Sequence, residues 1–306
     1  MRSIRAGKHV LVEKPSVDNE TEASILFNLP ELSQQPNPPV LLEAFHSRFH
    51  PSLHKFLTFI SPADVVHVHT DSMVPSWFVS KDDLEYNYTL GGGSIMALGT
   101  YNFGVMRMIF QGEPEECVSC DTSVLGDGVH DQCDYHFKAQ FRFPNGGIGD
   151  ATTTIQGPLL WKPSEARVTH RAVMVADKTL PDGQEKVRTR TVTLHGCMHA
   201  VLWHRIDVRD EYVIREKKDG RPVRKWVEAS SHKTYSFRDA GGEFAELPGE
   251  DWWMSYRYQL EQFVNRVKGR KTQYWVEGED SVKQMRMIDM AYGKSGLRLR
   301  PTSSFR

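Results

Sequence analysis

Two short apolar runs flank a helical segment at the start of the chain, and this order constrains the fold more than any other feature. His9, Val10, Leu11 and Val12 show no polar alternation, as in a strand covered on both faces. Residues 20–29 follow, with Ala23, Leu26 and Phe27 at helical spacing. Pro36 to Pro39 then breaks the chain, and Val40-Leu41-Leu42-Glu43-Ala44-Phe45 reads as a second strand. Strand, helix and strand in this order make a parallel βαβ unit. Such a unit seldom stands alone, because its faces need more sheet beside them. The chain therefore reads as opening in the middle of a doubly wound fold.

Beyond Pro51 alternation takes over. Residues 53–60 read as a short helix and 65–73 as a strand, and Gly91-Gly92-Gly93 opens a helical stretch over 95–110. Strand-like runs follow at 117–124, 135–143, 148–155, 166–175, 186–195, 204–214 and 224–237. Pro144-Asn145-Gly146-Gly147 and Asp219-Gly220 supply turns between them. Helices are expected at 252–267, with Tyr256, Leu260, Phe263 and Val267 on one face, and at 281–292. The expected class is α/β plus α+β: a βαβ remnant over 1–45, then an α+β domain over 46–306 with a large, mostly antiparallel sheet.

Lys plus Arg is 38 and Asp plus Glu is 39, a formal charge of −1. That balance points to no nucleic acid and no membrane surface as partner. The apolar run ending at Val12 is too short for a signal-peptide core, and no stretch approaches the ~18 apolar residues of a membrane span. Four cysteines in 306 residues make no secreted disulfide framework, so a reducing, cytoplasmic setting is expected.

Three segments carry chemistry. Ala6-Gly7-Lys8-His9-Val10-Leu11-Val12-Glu13-Lys14-Pro15 ends an apolar strand on a lysine, where ligands bind beyond the carboxyl ends of parallel strands. Leu42-Glu43-Ala44-Phe45-His46-Ser47-Arg48-Phe49-His50-Pro51 leaves the second strand. Leu90-Gly91-Gly92-Gly93-Ser94-Ile95-Met96-Ala97-Leu98-Gly99-Thr100-Tyr101 is a glycine-led helix start. In this order the three resemble the glucose–fructose oxidoreductase, inositol dehydrogenase and MocA family (Gfo/Idh/MocA). Within it, Tyr101 in place of the commoner histidine is similar to the dihydrodiol and D-xylose dehydrogenase branch.

The resemblance implies an NAD(P)-dependent oxidoreductase that transfers hydride on a sugar, polyol or dihydrodiol-like secondary alcohol. It implies Lys14 and Tyr101 as catalytic residues. Glu13, Lys14 and Pro15 would stand at the cofactor, with a cis bond before Pro15, and His46, Arg48 and Tyr101 at the substrate. It implies NADP or NAD as cofactor, a small-molecule substrate, and a homodimer formed through the β-sheet. It also implies a Rossmann domain whose first strands, with their Gly-x-Gly-x-x-Gly loop, are absent from this sequence: no glycine triplet here matches that spacing. Residues 1–45 then read as a truncated Rossmann remnant. A phenol has a pKa near ~10, and the Lys14 ammonium is expected to lower that of Tyr101. Ala97 stands where the family usually has Asp, which removes a side-chain acceptor.

Several patterns have plainer readings. From spacing alone Tyr101 is a surface helix tyrosine, and an isolated lysine is normally solvated. His46, His50 and His54 are spaced for one helix face, but Pro51 interrupts them, so no metal is expected. Cys117 and Cys120, with His130 and Cys133, mimic a zinc spacing; in an alternating strand, positions three apart point to opposite faces. His195, His199 and His204 read as strand and loop residues. Trp252-Trp253 and Met285, Met287 and Met290 read as core or a subunit contact. Two alternatives to a redox enzyme stand beside it: a cofactor-free relative doing proton transfer, isomerisation or cyclisation on a small metabolite, and a scaffold subunit.

Overall fold

The structure is a computed structural model that describes residues 1–34, 36–198, 200, 202–242 and 245–303. His199 lies outside these residues. The chain begins with α1 (Arg2–Arg5), β1 (Val10–Glu13), α2 (Glu20–Phe27) and β2 (Leu41–Ala44). β1 and β2 pair in parallel, with Val10 opposite Leu41 and Glu13 opposite Ala44. Asn19 starts α2 by accepting a hydrogen bond from the Glu22 amide, and Glu20 and Glu22 suit the positive end of that helix. The expectation of a strand covered on both faces fails for β1. Leu11 is 38% exposed, and Val10 and Val12 line an open cavity instead of packing under a helix.

After β2 the chain makes a tight turn over His46–Phe49 and enters α3 (Pro51–Leu57), with Pro51 at its first position. The remaining strands are β3 (Val65–Pro75), β4 (Glu116–Ser123), β5 (His136–Arg142), β6 (Ile148–Gly157), β7 (Glu165–His170), β8 (Val173–Val175), β9 (Gln184–His195), β10 (Arg205–Glu216) and β11 (Pro222–His232). They form one nine-stranded sheet in the order β11-β10-β9-β7-β3-β6-β5-β4, with β8 beside β9. β3 runs parallel to β6, and the other pairs are antiparallel.

A π-helical turn (Ile95–Gly99) leads into α4 (Thr100–Phe110). Three helices complete the chain: α5 (Phe237–Ala240), α6 (Ser255–Val267) and α7 (Gly278–Ser295). α4 and α7 cover one face of the sheet. Phe103, Met106 and Ile109 of α4 and Met285, Met287 and Ile288 of α7 close on Phe137, Phe141, Val168 and Val192 in a single apolar core, which Ala23 of α2 also joins. The other face of the sheet is polar. It presents His67, Asp150 and Gln140 in one hydrogen-bonded group, and Glu165, His195 and Asp207 in another. Among the described residues no helix is long and apolar enough to cross a membrane.

Four sequence expectations need correction. The run 166–175 is two strands, because Arg171 leaves the ladder to pair with Asp64, its Nε 2.9 Å from Oδ1. The strand expected to reach residue 237 stops at His232. Ser236 and Asp239 then form a reciprocal capping box that starts α5. Cys117 and Cys120 lie on one buried face, not opposite faces, because the register slips by one residue between Cys117 and Ser119. Even so, no group of three or more His, Cys, Asp or Glu among the described residues is placed to hold a metal. Finally, α6 buries Ser255, Tyr258, Gln259, Gln262 and Asn265 and leaves Tyr256 and Leu260 exposed. Ser255 and Gln259 on its inward face hydrogen-bond the segment that leaves β2, and Tyr258 packs with Leu42, Phe49 and Phe237.

Candidate active site

A cavity of about 760 Å³ opens beyond the carboxyl end of β1, between that strand, α2 and the glycine-led loop. Val10, Val12, Pro15, Leu26 and Leu41 give it apolar walls, and Glu13, Lys14, Gly92 and Ala97 close its inner end. Beside these apolar walls the lining also carries the carboxylates of Asp18, Glu22 and Glu85.

The glycine loop is held in place by contacts that leave little room for side chains. Gly93 has φ +114°, and a Cβ there would meet Asp134 Oδ1 at 2.5 Å and the Tyr292 hydroxyl at 2.8 Å. Asp134 accepts from the Ser94 hydroxyl at 2.6 Å, the Ile95 amide at 2.8 Å and the Tyr292 hydroxyl at 3.0 Å. These bonds fix the start of the π-helical turn, and with it the positions of Ala97 and Tyr101.

Lys14 belongs to two environments at once. It lines the cavity, its Nζ donates to the Ala97 carbonyl oxygen at 2.7 Å, and the same ammonium lies 4.3 Å from the centroid of the Tyr101 ring. The Lys14–Pro15 peptide bond is cis, as the resemblance implies. Burial pushes the Lys14 ammonium down to about 8, against the opposing pull of Glu13, Glu85 and Glu43. Where the resemblance led to the expectation of a lost side-chain acceptor at Ala97, the backbone carbonyl of Ala97 accepts from Lys14.

The expected Lys14-induced lowering of the Tyr101 pKa does not occur. Lys14 meets the ring face and not the hydroxyl, and burial, reinforced by Tyr256 and Glu13, pushes the phenol well above its ordinary value. The partner of the hydroxyl is His46, whose Nε2 lies 3.0 Å from it. His46 is buried, its Nδ1 is 2.8 Å from Ser255 Oγ, and its ring stacks on Tyr256 with centroids 4.0 Å apart. In the orientation its neighbours require, the Gln259 amide oxygen accepts from the Phe45 and His46 amides at 2.8 and 3.2 Å. Three residues of α6 thus hold one imidazole against Tyr101.

Arg48, expected at the substrate with His46 and Tyr101, is bonded elsewhere: its Nε donates to the Tyr274 hydroxyl at 2.9 Å and its Nη1 is bonded to Asp280. None of Arg48, His46 and Tyr101 lines the cavity itself; Lys14 stands between it and the Tyr101 ring. Asp280 is shared with Arg107, whose Nη2 is 2.9 Å away. Burial works against the Asp280 carboxylate, but the two guanidiniums hold it below the usual range. His50 and His54 also turn away: His50 Nδ1 accepts from the Ser52 amide at 3.2 Å, and His54 Nε2 donates to the Arg48 carbonyl at 2.9 Å. Burial lowers them to about 3 and about 4 respectively, so both are neutral imidazoles.

The structure brings Lys14, Tyr101 and His46 into contact, and beside them stand Ser255, Tyr256 and Glu43, which the sequence had not placed at the site. Glu43 is a fully buried carboxyl on β2 that accepts from the Ser16 amide at 2.9 Å; burial raises its pKa, which Ser281, Ser16 and Arg48 oppose. Its place in an apolar strand was the one available signal. Ser255 is 209 positions from His46, and nothing local marks it.

Residues 63–169 match the family model of the GFO/IDH/MocA C-terminal domain. Across 287 residues the chain is 24% identical to a D-xylose 1-dehydrogenase (NADP(+)) of Haloferax volcanii, covering 94% of this chain and 70% of that one. A trans-1,2-dihydrobenzene-1,2-diol dehydrogenase of Xenopus laevis is 29% identical over 135 residues, 41% of this chain and 37% of its own length. Among solved structures, aldose–aldose oxidoreductase from Caulobacter crescentus, complexed with glycerol, superposes with a TM-score of 0.66 at 18% identity, covering 96% of this chain and 72% of that one.

Proposed function

We propose, from the match of residues 63–169 to the GFO/IDH/MocA C-terminal domain and the likeness to the Haloferax relative over 94% of the chain, that this is a Gfo/Idh/MocA oxidoreductase that interconverts a secondary alcohol and its carbonyl on a sugar, polyol or dihydrodiol-like small molecule. The observation that carries this reading is the double placement of Lys14, at the wall of the cavity and over the ring of Tyr101. NADP is the proposed cofactor, in keeping with the name of the Haloferax relative. When bound, it supplies the hydride acceptor or donor.

The chain's own residues do the rest. Glu13, Lys14 and Pro15 line the place proposed for the nicotinamide. Tyr101 donates or accepts the hydroxyl proton of the substrate. The Lys14 ammonium adds positive charge beside the oxygen that becomes the alkoxide in the transition state. His46 meets the substrate side through Tyr101, and Arg48 holds the segment leaving β2 from behind. In this reading residues 1–45 face the cofactor and 46–306 the substrate. A second copy of the chain is proposed to dock on the polar face of the sheet.

Titration of the purified chain with NADPH, followed by its fluorescence, tests the cofactor assignment. Saturable binding that weakens at least tenfold in Lys14→Met is the expected result; no binding by the wild-type chain overturns it.

A further inference from the structure

Tyr101 has a proton to pass on and no water-facing lysine to take it. Its hydroxyl is raised well above the ordinary value by burial, and the ammonium nearest to it is turned to the Ala97 carbonyl. His46 Nε2 lies within hydrogen-bonding reach of the phenol oxygen at 3.0 Å, and the far side of that imidazole meets Ser255 Oγ at 2.8 Å. We propose that Tyr101, His46 and Ser255 form a proton relay in which His46 takes the phenol proton while Tyr101 takes that of the substrate.

The proposal rests on the alcohol–carbonyl reading above and adds a group to it. In the oxidation direction the carbinol C–H bond breaks and its hydride goes to an oxidised nicotinamide. The substrate O–H bond breaks and its proton goes to the Tyr101 oxygen. The Tyr101 proton moves to His46 Nε2, leaving a carbonyl, a neutral phenol and an imidazolium. Reduction runs the same transfers backwards. No charge is left on the buried phenol at the end of the step, which avoids stabilising a phenolate in a desolvated site.

For Nε2 to accept, the imidazole proton must sit on Nδ1 and point at Ser255 Oγ. Ser255 therefore sets the tautomer, as a third group orients the base in other relays. Gln259 fixes the backbone of His46 and Tyr256 stacks on its ring, so the imidazole cannot swing away. Among the described residues, the charged and titratable groups facing the pair include Lys14 and Glu13 from the end of β1, Tyr256 from α6, and His50 one turn along the chain. His46 acts through Tyr101 and is a positioning and relay residue, not a substrate contact.

Two measurements test the relay, and the first needs no turnover. Nitrogen NMR of the His46 ring in the free chain, assigned by comparison with His46→Gln, is expected to show the neutral Nδ1–H tautomer, with an Nε2 signal that moves in Tyr101→Phe. An Nε2–H tautomer, or an Nε2 signal unchanged in Tyr101→Phe, overturns the proposal even if the chain proves inactive. The second is kinetic, on the chain with NADP and an alcohol it turns over. His46→Ala is expected to lose ten- to a hundredfold in kcat with KM little changed, and added imidazole is expected to restore part of it. His46→Gln keeps a polar group opposite the Tyr101 hydroxyl but cannot take up a proton, and it is expected to stay slow at every pH. Full activity in His46→Gln, or His46→Ala unrescued by imidazole despite a wild-type unfolding midpoint, overturns the relay while leaving the oxidoreductase reading intact. Loss of activity in Tyr101→Phe bears on that reading alone.

Discussion

The Lys14 ammonium and the Ala97 carbonyl oxygen are 2.7 Å apart, 83 positions removed in sequence, and this one bond joins the end of the parallel βαβ unit to the helix that carries Tyr101. A lysine that reads in sequence as a strand-end residue becomes the wall between the cavity and the phenol. The alanine that seemed to remove an acceptor provides one from its backbone.

Lys14 combines that position with burial, and its stability and activity consequences run in opposite directions. Its pKa is lowered to about 8 from an unfolded value of 10.5, with burial as the main cause. Between those values the unfolded chain binds more protons than the folded one, so stability rises as pH increases from 8 to 10.5. Below 8 the charged form is present in both states and the burial penalty is felt in full. Lys14→Met is therefore expected to be neutral or to stabilise by about 1 kcal/mol, while activity falls by about 10²-fold or more. Denaturant midpoints taken across this pH range are expected to rise in the wild type and stay flat in the variant.

Asp280 stands between two guanidiniums, those of Arg48 and Arg107, and Arg107 also grips Glu113 at 2.6 Å. Removing one partner from a buried charge network leaves the others uncompensated, at a cost of about 3–5 kcal/mol. Asp280→Ala is expected to lose stability on that scale, whereas Glu113→Ala, at the more exposed end, loses less. The carboxylate of Asp280 is held low, so this contribution is present above the unfolded carboxylate pKa and is lost as pH falls through the lower folded value. Acid unfolding of Asp280→Asn is expected to lack that part of the transition.

Gly93 tests how the glycine loop places Tyr101. Its φ of +114° is one that side chains rarely adopt, and Asp134 and Tyr292 fill the space a Cβ needs. Gly93→Ala is expected to cost about 1–3 kcal/mol from backbone strain and more from the close approach. Gly7, with φ +68° and nothing within 4 Å, offers a control in which only the backbone contributes. Thermal unfolding of the two variants is expected to show the larger fall for Gly93→Ala.

The polar sheet face is the proposed contact with a second copy. Thr152 of β6 and Thr191 of β9 are half-buried, while their neighbours Ala151, Thr153 and Val192 are buried toward the helices. Sedimentation of the wild-type chain is expected to show a dimer, and Thr152→Arg with Thr191→Arg a monomer with an unchanged unfolding midpoint. A monomeric wild type at working concentration removes the contact from the account.

Much of the fold was legible because period and punctuation are local properties. The parallel βαβ order, the Asn145-Gly146 turn between β5 and β6, and the helix expected at 281–292, which runs over Gly278–Ser295, follow from apolar spacing and from residues that tolerate positive φ. The errors arose where a distant partner overrode the local pattern. Arg171 breaks a strand to reach Asp64. A one-residue slip at the start of β4 turns Cys117 to the same face as Cys120. The stripe expected on α6 splits: Leu260 is exposed and Phe263 packs inward, while Ser255 and Gln259 take the face toward His46. The site divides in the same way: Lys14 and Tyr101 sit in recognisable segments, but the contact of His46 with Ser255 exists only once α6 is docked.

The central claim is hydride transfer at the site shared by Lys14 and Tyr101. The direct measurement is deuterium transfer from an alcohol labelled at the carbinol carbon to oxidised NADP, read by mass spectrometry over a panel of aldoses, polyols and dihydrodiols. Label is expected in the reduced cofactor with at least one of these alcohols, and its loss is expected in Tyr101→Phe and in Lys14→Met. Saturating NADP with no label transferred from any of them contradicts the claim.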